Sequence, residues 1–343
     1  MPIKIENAGI PHEHLSAVLR ALAESFGASS VDEITDLTEG ANSNRAFRFV
    51  VEGQVYLLRI NTRRGDVARQ FSCMRMAAEA GLAPRVWYSN DPDRVSITEF
   101  VDAVSVPPGE ALRSLPLALR TLHGLSEFPA ATFNTTCTFL LNRGEMLDSF
   151  LDKFKAESPL PKKEIEEVLR QYARMLKIDG PPACDVVPSH NDLFKPDNIL
   201  HDGTRVWLVD WEASFPNDRY ADLAVVTNML AENDDDERAF LRAYFAAPPT
   251  PYQTGRLHLM RQVAHMFYAM AFLSDSSAEK LSVLSEPPLH YGEFQKRFWS
   301  GELRLGDERS KATFGNAHWN ELLRNLREPR FQDALSAVQN ADD

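Results

Sequence analysis

Two short stretches constrain this chain more than any other part of it. The first reads Ser189-His190-Asn191-Asp192-Leu193-Phe194-Lys195-Pro196-Asp197-Asn198-Ile199-Leu200, and the second Val206-Trp207-Leu208-Val209-Asp210-Trp211-Glu212. Between them lies His201-Asp202-Gly203-Thr204. An Asp-Gly pair between two apolar runs predicts a β-hairpin. In such a hairpin Asp192 and Asn198 sit just before one strand and Asp210 just after the other. Two carboxylates and an amide oxygen then converge at one end. Oxygen ligands of this kind suit Mg²⁺, which takes one or two carboxylates and completes its shell with water and substrate phosphates. Asp and Asn are also ordinary turn residues, but the order of groups here is the one phosphoryl transfer requires.

The remaining bounds are broad. A chain of 343 residues has length for a large core and two domains. No run reaches the roughly 18 apolar residues of a membrane span, and Met1-Pro2-Ile3-Lys4-Ile5-Glu6 lacks the apolar core of a signal peptide. Cys73, Cys137 and Cys184 are far apart and odd in number. They fit buried thiols in a reducing, cytoplasmic setting better than a disulfide framework or a zinc site. Lys plus Arg number 37 against 49 Asp plus Glu, a formal charge of −12. That balance argues against a nucleic-acid partner, which would leave a basic footprint. The acidic run Asn233-Asp234-Asp235-Asp236-Glu237 reads as a solvated loop or a helix start.

Residues 11–27 carry apolar positions at helical spacing and end at Gly27. From Glu33 to Val101 the period changes to two. Phe47, Phe49 and Val51 alternate with Arg48 and Val50; after Gly53, Val55, Leu57 and Arg59 alternate with Tyr56, Leu58 and Ile60. This predicts an antiparallel hairpin. The small polar stretch before it, Leu37 to Arg45, is a turn or a loop able to fold over phosphates with backbone N–H groups and the Ser43 hydroxyl. Arg59 is a cation in an apolar strand and needs an anionic partner. Nucleotide phosphates would supply one, as would an ion pair at a sheet edge. A helix over 66–80 and strands over 85–88 and 95–101 complete about five strands with one helix inserted. Beyond Asp102, Pro107-Pro108-Gly109 marks a linker and helical periodicity dominates: 108–125, 146–154, 163–176, 220–230, 237–246, 257–273, 291–300, 316–326 and 330–339. The chain therefore divides into residues 1–102, a nucleotide-binding lobe with a leading helix, and residues 103–343, a helical catalytic and substrate lobe. The fold class is α+β, a small antiparallel β lobe plus a larger mainly helical one.

This order, with Asp210-Trp211-Glu212, Asn217 and Asp222-Leu223-Ala224 closely spaced, resembles the choline/ethanolamine kinase and aminoglycoside phosphotransferase superfamily of the protein-kinase-like bilobal fold. The Glu and Asn positions point to its choline-kinase-like branch. The resemblance covers about residues 30–275. It implies ATP and Mg²⁺ as cofactors. Asp192 matches the base that takes the acceptor's proton, and His190 the position that orients the catalytic loop. Asn198 and Asp210 match the metal ligands, with Glu212 assisting metal or substrate. Arg59 matches the residue gripping the nucleotide phosphates, Gly40, Asn42, Ser43 and Asn44 the nucleotide loop, and Glu99, Phe100 and Val101 the hinge that receives adenine. Asp222 matches a residue bracing the loop.

The chain departs from the family's pattern in three places. Asp192 and Asn198 are six apart where the family has five, so Phe194 reads as an extra residue. Either a bulge restores the geometry or Asp197 takes the ligand place. The helix Glu that should pair with the phosphate-gripping cation is replaced near Gln70, with Asp66 a turn before it and Glu79 too late. Tyr268 and Phe272 offer either an aromatic enclosure for a cationic substrate or a structural stripe. The reading is a small-molecule kinase acting on a hydroxyl of a polar, cationic, amino-alcohol-like acceptor. The alternatives are an aminoglycoside-type antibiotic phosphotransferase and a non-catalytic pseudokinase. Neither nucleic acid nor membrane is an expected partner.

Overall fold

The structure is a computed structural model that describes residues 3–5, 9–38, 44–62, 65–104, 106–130, 145–177 and 183–340. It is α+β, with a five-stranded antiparallel sheet followed by a larger helical region. Strands β1 (Ile3–Lys4) and β2 (Ser30–Val31) form a separate small ladder around helix α1 (Leu15–Phe26). The main sheet contains β3 (Glu33–Asp36), β4 (Arg45–Val51), β5 (Gln54–Ile60), β6 (Val86–Asn90) and β7 (Val95–Glu99), in the order β3-β4-β5-β7-β6.

Alternation along β4 and β5 assigns the two sheet faces. Phe47, Phe49 and Val51 join Tyr56, Leu58 and Ile60 in one core with Val18, Ala21 and Leu22 of α1. Leu57 and Arg59 therefore face the other way, toward the cleft between the lobes. The turn joining the strands holds Glu52 at φ 52° and Gly53 at φ 75°. Two successive positive φ values are what a two-residue turn matched to strand twist demands.

Helix α2 (Val67–Glu79) is inserted between β5 and β6 and is capped by Asp66, whose carboxylate accepts the Arg69 N–H at 3.0 Å. By packing it belongs with the larger lobe: Cys73 and Ala77 are buried in that lobe's core, with Leu82 and Ala83 just beyond the helix. Leu208 N–H donates to Leu82 O at 2.8 Å and Val104 N–H to His201 O at 2.8 Å, tying the segments after α2 and after β7 to residues 199–208.

The larger lobe begins with α3 (Pro108–His123), α4 (Glu145–Glu157) and α5 (Lys162–Met175). Strands β8 (Val186–Ser189), β9 (Ile199–His201), β10 (Val206–Leu208) and β11 (Phe215–Asp218) follow. Helices α6 (Arg219–Leu230), α7 (Asp234–Phe245), α8 (Pro251–Phe272), α9 (Ala278–Leu284), α10 (Tyr291–Trp299), α11 (Glu308–Arg327) and α12 (Pro329–Gln339) complete it. The acidic run proves to be a helix start. Asn233 accepts from the N–H groups of Asp235 and Asp236 at 2.9 and 3.0 Å, and the acids sit in the first turn, where the helix dipole favours them. Helix α9, capped by Ser277, is an element that periodicity did not single out. Among the described residues no helix is long and apolar enough to cross a membrane.

Helices α8 and α11 cross closely at Gly315, where an added Cβ would meet Leu273 Cγ at 2.9 Å and Phe272 Cβ at 3.0 Å. Gly315→Ala should therefore cost about 1–3 kcal/mol through overpacking. Thermal unfolding checks this; an unchanged or raised Tm would show that the crossing has slack.

Candidate active site

Two short ladders build the site. Strand β8 pairs antiparallel with β11, setting Ser189 opposite Phe215 and Val187 opposite Asn217. Strand β9 pairs with β10, setting His201 opposite Val206. The loop 190–198 leaves β8 and enters β9, while 209–214 leaves β10 and enters β11. The two loops therefore run side by side. Val209 N–H donates to Asn198 O at 3.0 Å, His190 Nε2 to Val209 O at 2.9 Å, and Ser214 Oγ to His190 O at 3.3 Å. His190 is fully buried against Trp211, so its ring positions the residue before Asp210 and does not enter the cleft.

Both loops hold a residue in the left-handed region, Asn191 at φ 65° and Asp210 at φ 68°. Such a conformation persists only when its surroundings over-determine it. The fully buried Asp222 does much of that, accepting the N–H of His190 at 2.8 Å and of Asn191 at 2.7 Å. His123 Nε2 lies 3.2 Å from the same carboxylate, and its Nδ1 is 2.7 Å from the Tyr244 hydroxyl. Asn217 Nδ2 donates to Asn191 Oδ1 at 2.7 Å, and Asn191 Nδ2 to Ala213 O at 3.0 Å. The spaced Asn and Asp of the sequence signature are thus both clamps on the 190–192 turn.

Asp192 follows that turn with its side chain 19% exposed. Asn198 Nδ2 donates to Asp192 O at 2.7 Å and to its Oδ2 at 3.0 Å. Both partners are acceptors, so the amide nitrogen must face Asp192, and Oδ1 is the Asn198 atom available to a cation. The extra residue is absorbed between them. The Phe194 ring is buried, with centroids 4.9 Å from Tyr268, 5.8 Å from Phe314 and 6.4 Å from Phe298. Lys195 then runs extended, and a 3-10 turn over Pro196–Asn198 returns the chain to Asp192. The bulge keeps Asn198 at the base, while Asp197 is exposed on the cleft wall.

Lys195, which the sequence reading passed over, places its ammonium 2.7 Å from Asp192 Oδ2. Burial would lower the Lys195 pKa, but Asp192, and with it Asp210 and Glu212, holds it above the ordinary lysine value. Burial pushes the Asp192 carboxyl upward, beyond what Lys195 restores.

Opposite these groups lies the sheet's open face. A cleft of about 410 Å³ has apolar walls from Leu57, Met74, Leu200 and Val209. Arg59, Asp210 and the Glu99-Phe100-Val101 segment line it too. Arg59 makes no ion pair among the described residues. The polar α2 residue sharing its cleft is Gln70, whose Oε1 accepts from Asn61 Nδ2 at 2.7 Å. Asp66 is committed to its cap and Glu79 is exposed at the far end of α2. Gly40, Asn42 and Ser43 lie outside the described residues. Asn44 bonds the Glu212 carboxylate through Nδ2 and accepts from Thr62 N–H at 3.1 Å. Arg69, a second residue missed in sequence, is buried. It donates to Ser214 O and, at 2.9 Å, to Glu212 O, tying α2 to the segment after Asp210.

Tyr268 and Phe272 do not come to the cleft. Tyr268 is 3% exposed beneath Phe194 and beside His318, and Phe272 packs on Phe314 with centroids 5.2 Å apart. They form a structural stripe in this structure, because α10 and α11 cover that face of α8.

Residues 33–257 match the model of the family described as "Phosphotransferase enzyme family". The chain belongs to that family. The fold is similar to a choline/ethanolamine kinase family protein from Mesorhizobium loti, with a TM-score of 0.66, 22% identity, and 95% of this chain and 99% of that chain covered. It is also similar to APH(2")-IIa in a ternary complex with streptomycin and ATP, with a TM-score of 0.54, 14% identity and 77% and 90% coverage. A curated relative, the Protein LicA homolog of Mycoplasma capricolum subsp. capricolum, is 30% identical over 78 residues, which is 23% of this chain and 32% of that protein. The match thus spans about a third of that relative's length.

Asp222 carries a pH consequence. Burial alone would raise its carboxyl, but the hydrogen bond and charge of His123, the charge of His190 and the loop N–H groups outweigh it, leaving the pKa below the ordinary value. A depressed folded pKa contributes stability above the unfolded value of about 3.9, lost as pH falls through the folded pKa. Asp222→Asn should therefore lower Tm at neutral pH and flatten its fall below about pH 4. Parallel acid-side slopes in variant and parent would contradict this.

Proposed function

We propose that this phosphotransferase moves the γ-phosphoryl group of ATP to a hydroxyl of a small polar molecule, with Asp192 as the base. The observation that carries this reading is that Asp210 and Arg59 line one cleft, while Asn198 on the adjoining loop reaches Asp192 at 3.0 Å. An arginine half-buried with no acidic partner among the described residues suits an anionic ligand, and the phosphates of a nucleotide match it in charge and fork geometry. The apolar walls suit a base, and the Glu99 to Val101 segment lines the same cleft.

The donor set fits Mg²⁺. Asp210, the Asn198 amide oxygen and the Glu212 carboxylate are all hard oxygen donors, too few to fill an octahedral shell without water and phosphate. When bound, the ion would offset charge on the β- and γ-phosphates. The protein's own share is position: Arg59 holds the nucleotide, His190 and Asp222 fix the loop, and Asp192 orients the acceptor hydroxyl and takes its proton late.

For the acceptor we infer an amino alcohol of the choline or ethanolamine type. The Glu212 and Asn217 positions and the acidic balance of the chain support this choice. The burial of Tyr268 supports a second reading, an aminoglycoside-type acceptor, which needs no aromatic enclosure. A coupled ADP-release assay against amino alcohols, aminoglycosides, thiamine and sugars separates the two. Asp192→Ala and Asp210→Ala should each lower kcat by at least about 10²–10³-fold. Asp210→Ala should also remove the Mg²⁺-dependent part of nucleotide stabilisation in a thermal-shift assay. Normal turnover by Asp210→Ala would sink the metal assignment. Metal-dependent nucleotide binding without turnover of any acceptor or of water would favour a pseudokinase.

A further inference from the structure

A cavity of about 780 Å³ opens in the helical lobe, where the turn after α6 meets α7, α8, α10, α11 and α12. It shares no lining residue with the nucleotide cleft, and its size is that of a small-molecule site. Seven carboxylate and four cationic side chains line it. The cations are already taken. Arg261 and Arg330 both pair with Glu237, Arg324 lies between Glu321 and Glu328, and Lys296 faces Glu232 at 3.9 Å. Glu293 is exposed at the rim and makes no ion pair or hydrogen bond among the described residues.

The uncharged groups lean the same way. Gln295 Nε2 donates to the carbonyls of Asn228 and Ala231 at 2.8 and 3.2 Å, and Asn325 Nδ2 donates to Gln262 Oε1 at 3.1 Å. With the amide nitrogens fixed on acceptors, the oxygens are what these two buried residues leave for an occupant. His258 also lines the cavity. It is 3% exposed, and neither ring nitrogen has a partner among the described residues. Burial, with Arg330 and Arg324 close by, pushes its pKa down to about 3, so the ring is neutral and one nitrogen keeps its lone pair. A buried polar group without a partner is costly. This one sits at a cavity whose spare groups are mainly acceptors and whose net charge is negative.

We propose that this cavity is a second binding site, which takes a small polyammonium compound of the polyamine class. Its ammonium groups donate to the Glu293 carboxylate at the rim, and to the Gln295 and Asn325 oxygens and the free nitrogen of His258 further in. They also offset the excess of carboxylates. An anion is disfavoured, because each lining guanidinium already meets a carboxylate. The site stands apart from the phosphoryl-transfer reading and does not depend on it.

Calorimetric titration of the full chain with spermidine, in about 0.15 M salt to screen diffuse surface charge, tests the proposal. The parent should show one saturable site per chain, unaltered by Mg²⁺ with a non-hydrolysable ATP analogue. Glu293→Lys, at an exposed position, should weaken binding at least about tenfold. Glu24→Lys on α1 makes the same change of net charge far from the cavity and should leave affinity within about twofold of the parent's. His258→Phe, first shown to keep the parent's circular dichroism, should weaken binding by about threefold or more. No saturable site in the parent, equal losses in Glu293→Lys and Glu24→Lys, or displacement of spermidine by the ATP analogue would overturn the proposal. The kinase reading stands or falls separately, on the turnover assay above.

Discussion

The buried carboxylate of Asp222 is the constraint on which the site depends. It accepts from two successive backbone N–H groups, those of His190 and Asn191, and lies beside His123. Hydrogen bonds to a charged acceptor contribute about 1.5–3 kcal/mol each, enough to hold Asn191 in a conformation that a side-chain-bearing residue rarely adopts. With that turn fixed, Asp192 emerges at a set angle, Asn198 reaches back to it, and His190 reaches across to Val209. Asp210 is thereby placed through a chain of contacts that begins two elements away.

The same construction separates positioning from chemistry. His190, Asn217 and Asp222 are buried and bond to groups of the two loops. Asp192, Lys195, Asp210 and Arg59 are the groups with access to the cleft or to solvent. Arg69 joins the two sets, because it fastens α2, which shares its cleft face with Arg59 through Gln70, to the carbonyls after Asp210.

Much of this was legible in the sequence where the signal is local. Period-two alternation in β4 and β5 gave the sheet, and the Asp-Gly turn gave the β9–β10 hairpin with Asp210 at its end. What was not legible depends on distant partners. The extra residue at Phe194 becomes intelligible only beside Tyr268 and Phe314, helices that lie far along the chain. Tyr268 and Phe272 read equally as an enclosure or a stripe, because periodicity identifies an apolar face and says nothing of what covers it. Arg69 carried no signal in the sequence, since its acceptors are backbone carbonyls, which have no residue signature. Lys195 was passed over because its significance lies in a 2.7 Å contact that spacing does not reveal.

The central claim is that the sheet face carrying Arg59 and the loops carrying Asn198 and Asp210 together form one metal–nucleotide site. Calorimetric titration of the intact chain with a non-hydrolysable ATP analogue, with and without Mg²⁺, tests it most directly. The account predicts one site per chain whose affinity rises at least tenfold with Mg²⁺, a gain of about 1.4 kcal/mol or more. Absence of binding, or equal affinity with and without the metal, would contradict it.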